Sequence, residues 1–178
     1  MGSDKAFLPW GSETLLSHAL KLAGGVADSV SIVGDTQKYS SYGSVIEDVY
    51  CDRGPLGGIH AALAGSESEL NLILAVDLPF IQSQFLQYLI SAADEAGATV
   101  TIPRAAHGWQ PLCAVYRREF SPLAEESLRK GNNKIDLLFA AVKTRVLPEQ
   151  EMVERGFSPR MFRNLNTPED LEEAQTGK

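Results

Sequence analysis

Apolar residues recur along this chain in two rhythms, a three-to-four-residue spacing and short continuous runs, and their alternation predicts helices interleaved with strands. Leu15, Leu16, Ala19, Leu20 and Ala23 fall on one helical face, so a helix from a capping Ser12 to about Leu22 is expected, stopped by Gly24 and Gly25. Ahead of it, residues 1–11 read as loop with a short extended piece at 6–8. Strands are expected at 29–33 and 44–49, joined by a turn-rich stretch that carries Tyr39 and Tyr42. Glycines at 54, 57 and 58 mark a loop that opens a helix through Leu63. The uninterrupted apolar run 70–76 has the pattern of a central strand buried on both faces.

Beyond Pro79 the same reading gives a helix at 83–96, a strand at 98–102, a further strand at 111–117 as the candidate antiparallel member, helices at 122–130 and 135–142, and a strand at 144–147. Thr167 and Pro168 suit the N-cap and first position of a final helix. Strands alternating with helices predict an α/β domain with a mixed, mostly parallel sheet between helical layers. With 178 residues and no repeat or linker, one domain is expected.

Charge narrows the partners. Sixteen Lys and Arg against 23 Asp and Glu leave a net −7, so no global basic field holds nucleic acid or an anionic membrane surface. A polyphosphate substrate would then need a few local cations or a metal ion. Cys51 and Cys113 lack any CxxC spacing and are expected to be incidental thiols. The run at 70–76 is far shorter than the ~20 residues of a membrane span, and no charged n-region with an apolar h-region opens the chain. A cytoplasmic protein is expected.

Four segments carry candidate chemistry. Asp77 stands at the carboxyl end of the expected central strand, where α/β sheets collect ligands and where an acidic residue suits a phosphate-bound metal; a turn cap before Pro79 would equally use it. The glycine loop at 54–58 offers backbone amides ahead of a helix, but it matches neither GxxxxGK[ST] nor GxGxxG. Lys5 lies in a loop where an ammonium suits phosphate charge. Asn164 and Asn166 share a face if extended, just before a helix N-terminus.

In order and spacing these segments resemble the molybdenum cofactor guanylyltransferases of the MobA type. The resemblance is carried by Met1-Gly2-Ser3-Asp4-Lys5-Ala6, Val45-Ile46-Glu47-Asp48, Gly54-Pro55-Leu56-Gly57-Gly58-Ile59, Val76-Asp77-Leu78-Pro79-Phe80, Gln110-Pro111-Leu112-Cys113-Ala114-Val115-Tyr116-Arg117 and Asn164-Leu165-Asn166-Thr167-Pro168. It implies a three-layer, Rossmann-like nucleotidyltransferase fold and Mg²⁺-dependent transfer of GMP from GTP to molybdenum-loaded molybdopterin. It further implies Lys5 on the GTP phosphates, Asp48 on the nucleotide, Asp77 on nucleotide and magnesium, and Gly54, Pro55, Leu56 and Gly57 along the guanine side. Gly34 falls where the family usually has an Asn that contacts GTP, which leaves only a backbone contact. Gln110 and Pro111, with Asn164 and Asn166, would border the pterin. Transient contacts with proteins that deliver or accept the cofactor are the expected protein partners.

Because a phosphate oxygen is the nucleophile in this reaction, no side-chain nucleophile or strong base is needed, and His18, His60 and His107 are expected to be non-catalytic. Members of the family also begin with an apolar strand and a Leu-Ala-Gly-Gly loop that ends Arg-Met-Gly before the lysine. Here the sequence opens at that Met, so the domain 1–178 is expected without its first strand and glycine loop; either these lie upstream in the intact protein or the chain has lost much of its GTP affinity. A cytidylyltransferase on the same pterin, a sugar-phosphate nucleotidyltransferase and a non-catalytic nucleotide-binding module are the competing expectations.

Overall fold

Helices and strands alternate through the computed structural model, which describes residues 4–50, 53–105 and 108–165. A 3-10 turn at Lys5–Phe7 leads into a small hairpin of β1 (Pro9–Trp10) and β2 (Glu13–Thr14), which feeds α1 (Leu15–Gly24). Next come β3 (Ser31–Val33), α2 (Thr36–Tyr39), β4 (Ser44–Ile46) and α3 (Pro55–Ala64). They are followed by β5 (Leu70–Leu74), α4 (Ser83–Ala96), β6 (Val100–Ala105), β7 (Gly108–Trp109) and β8 (Cys113–Arg117). A 3-10 turn then enters α5 (Ser121–Arg129), and α6 (Asp136–Phe139), β9 (Thr144–Pro148), α7 (Glu149–Glu154) and a last 3-10 turn at Pro159–Phe162 complete the described chain.

The main sheet runs β5-β8-β6-β7, with β9 joined to β6. β8 pairs antiparallel with both β5 and β6, so those two strands share a direction, and β9 runs parallel to β6. The sheet is therefore mixed, with β8 as the antiparallel member that the sequence suggested and the short β7 as a second. Period-two alternation along β8 builds the layers. Cys113 and Val115 pack with Phe85, Leu86 and Leu89 of α4, whereas Ala114 and Tyr116 pack with Leu56, Ile59 and Leu63 of α3 and Ala124 and Leu128 of α5. Burial between these layers also pushes the Cys113 thiol up to about 12, which makes it an inert core group.

Several local expectations shift. Of residues 6–8 only Leu8 is extended: Asp4 caps a 3-10 turn over Lys5–Phe7, and the extended pieces follow in the hairpin. Ser12 lies in that hairpin turn, so Thr14 caps α1, its hydroxyl accepting the Ser17 N–H at 3.2 Å. The second strand stops at Ile46, and Val49 is 79% exposed. Residues 135–142 shorten to the single turn of α6, whereas α2 and α7 are added. The helix expected at Thr167 lies outside the described residues.

The largest difference concerns the central strand. β3 and β4 form a separate parallel pair, and among the described residues β5 is paired only by β8. All five residues of β5 are half-exposed, whereas Cys113 to Tyr116 of β8 are buried. Between β3 and β5 lies a groove of about 1070 Å³. Its other walls are apolar residues of α1, such as Leu16 and Leu20, and the small residues Gly58 and Ala62 of α3. A strand with the apolar pattern of a sheet centre thus faces an open slot.

Candidate active site

The candidate residues gather where strands end. β5 finishes at Leu74, and the chain turns out through Val76 and Asp77, whose side chain is 25% exposed. The Lys5 ammonium reaches Asp77 at 3.8 Å, so the two residues singled out for phosphate and metal chemistry meet although 72 positions separate them. The Asp77 carbonyl accepts the Leu165 N–H at 3.1 Å, and Leu165 is buried against Leu15 beside Leu8, Trp10 and Val76. Asn164 is consequently held, exposed, next to Asp77. Asn166 lies outside the described residues.

Gly34, Asp48, Gly54 and Pro55 line the same groove as Val76, the residue before Asp77. The Gly34 N–H donates to the Ile46 carbonyl at 3.0 Å, which brings the ends of β3 and β4 level. Asp48 Oδ1 accepts the Tyr50 N–H at 2.8 Å. At position 57 a side chain is excluded, because a Cβ there would come within 2.8 Å of the Tyr50 carbonyl and 3.0 Å of Asp48 Oδ2. Gly57 lets the first turn of α3 close on Asp48. The Leu56 side chain is fully buried under α5 and does not face the groove, so any nucleotide contact there is through backbone.

On the other border, the Pro111 carbonyl accepts the Tyr116 hydroxyl at 2.9 Å and Gln110 Nε2 reaches the Gly108 carbonyl at 3.4 Å. The Leu112 carbonyl accepts the Ala75 N–H at 2.7 Å, which ties this turn to the end of β5. Among the histidines, His18 is held by the Pro79 carbonyl at 3.0 Å and His60 is buried edge-on to Tyr50, while His107 lies outside the described residues.

Asp4 was missed by the sequence reading. It precedes Lys5, yet its carboxylate is bound by the Tyr39 hydroxyl at 2.6 Å, by Lys38 and by the Ala6 N–H at 3.0 Å. Its adjacency to Lys5 was the available signal, but the partners on α2 become visible only in three dimensions.

A family model described as the MobA-like NTP transferase domain matches residues 1–144. The chain belongs to this family. A molybdenum cofactor guanylyltransferase of Syntrophotalea carbinolica is 32% identical over 176 residues, spanning 97% of this chain and 83% of that protein. The molybdopterin-guanine dinucleotide biosynthesis protein A of Archaeoglobus fulgidus has a similar structure, with a TM-score of 0.84 at 25% identity, covering 98% of this chain and 90% of the other. The 2-C-methyl-D-erythritol 4-phosphate cytidylyltransferase of Thermus thermophilus shares the fold at a TM-score of 0.68, with coverages of 98% and 94%; at 16% identity, that likeness speaks for the fold alone. The MobA-like assignment agrees with the order of the motifs along the sequence.

Proposed function

We propose that this chain transfers GMP from GTP to the molybdenum-loaded molybdopterin cofactor, with release of pyrophosphate, and that it does so in the cytoplasm. The observation that carries the reading is the meeting of Lys5 with Asp77 at the mouth of the groove, in a chain whose relatives are named for guanylyl transfer. A terminal phosphate oxygen of the pterin attacks the α-phosphorus of GTP. The new P–O bond forms as the bond to the bridging oxygen breaks, and pyrophosphate carries away the electron pair. Two anions must approach each other, so positioning and charge neutralisation supply most of the catalysis.

Lys5 offers the cation on the phosphate side, 44% exposed and within reach of Asp77. The groove walls at Gly34, Asp48, Gly54 and Pro55 suit the nucleoside, with Gly57 packed against Asp48 behind them, and Gln110, Pro111, Asn164 and Asn166 the pterin side. Mg²⁺ takes one or two carboxylates and completes its shell with waters and phosphate oxygens. Among the described residues Asp77 makes an ion pair at 3.8 Å but no side-chain hydrogen bond, and no group of three or more ligating side chains is present. Such a donor set fits a cation bound jointly with substrate phosphates, and Asp77 is the residue that would hold it. When bound there, Mg²⁺ supplies charge neutralisation on the phosphates.

The test is Asp77→Ala. Turnover is expected to fall on the order of 100-fold or more, with the far-ultraviolet circular dichroism and melting curve retained. Unchanged turnover would refute the role of Asp77.

A further inference from the structure

The turn that carries Lys5 is gripped at both ends by α2. At its start, Asp4 Oδ1 caps the turn through the Ala6 N–H at 3.0 Å, while Oδ2 accepts the Tyr39 hydroxyl at 2.6 Å and pairs with the Lys38 ammonium. At its end, Phe7 stacks on Tyr39 with ring centroids 5.9 Å apart and meets Tyr42 at 5.7 Å. A hydrogen bond to an ionised carboxylate is stronger and more directional than a neutral one, so it suits a latch.

The Tyr39 ring also sets a limit at position 34. A Cβ there would lie 2.8 and 2.9 Å from two carbons of that ring. Space, not backbone conformation, excludes a side chain, because the ring occupies the volume it would fill.

We propose that Tyr39 and Lys38 are positioning residues that act through Asp4 to hold Lys5 against the mouth of the groove, opposite Asp77, and that Gly34 is the residue that admits Tyr39. The proposal rests on the reading of Lys5 as a phosphate contact. Neither Tyr39 nor Lys38 touches substrate in this scheme. They fix the ammonium before substrate arrives, which removes an ordering cost from the bound state.

A double-mutant cycle tests this with GTP and molybdenum-loaded molybdopterin, reading pyrophosphate release. Tyr39→Phe keeps the ring on Gly34 and removes only the hydroxyl. In the native background it is expected to lower kcat/KM about tenfold, the size of one lost hydrogen bond to a charged group. In the Lys5→Ala background the same change is expected to cost less than about twofold, because the group being positioned is gone. An equal loss in both backgrounds, or no loss from Tyr39→Phe while Lys5→Ala is damaging, overturns the latch and leaves the reading of Lys5 standing. If Lys5→Ala itself retains full turnover, the reading of Lys5 fails and the latch fails with it.

Discussion

At the scale of single residues, Asp4 is pulled in opposite directions. Burial raises its pKa, but the hydrogen bonds from Lys38, Tyr39 and the Ala6 amide outweigh it, and the net effect places the carboxyl below its ordinary 3.8. Lys38 is shifted upward, first by its bond to Asp4. A carboxyl with a depressed folded-state pKa contributes stability that is present above the unfolded value and lost as pH falls through the folded one. The melting temperature of the native protein is therefore expected to exceed that of Asp4→Asn by a constant margin from about pH 7 to about pH 5, and the margin is expected to close below about pH 3. A margin independent of pH would show that Asp4 acts without its charge. Lys5 and Asp77 were singled out in the sequence, their expected roles came from the family resemblance and not from position alone, and the structure brings the two within 3.8 Å. The grip of Tyr39 on Asp4 was not legible there, since the two are 35 positions apart and nothing in the local pattern joins an exposed-looking tyrosine to a loop aspartate.

At the scale of elements, the sequence was most informative where the hydrophobic period ran long. α4 matches its expected span residue for residue, from Ser83 to Ala96, because Phe85, Leu86, Leu89, Ala92 and Ala93 form an unbroken buried stripe. The hairpin at 9–14 escaped because each of its strands is two residues long, too short for any period to register. Ser12 and Thr14 are both good caps by type, and the hairpin, a tertiary feature, decided for Thr14. β5 was read as a sheet centre from its apolar run, yet among the described residues it is paired on one side only, by β8.

At the scale of the whole molecule, the candidate residues come from separate segments of the chain. The Lys5 ion pair and the Leu165 hydrogen bond tie the Lys5 turn and the Asn164 segment to Asp77 at the end of β5, and Gly34 and Asp48 line the same groove as Val76. The order of motifs made the family legible, because every segment at this end is short and chemically distinctive. The separation of β3 and β4 from the main sheet was not legible from the period of those strands alone, since periodicity reports which faces are buried and not which edges are paired. Among the described residues no helix is long and apolar enough to cross a membrane.

The most direct test of the account is turnover by the purified protein with Mg²⁺ and molybdenum-loaded molybdopterin, supplied in parallel with GTP or with CTP, reading pyrophosphate release and the dinucleotide product by mass. The account predicts the guanine dinucleotide and pyrophosphate with GTP. Product with CTP alone, or GTP binding without pyrophosphate release, would contradict it.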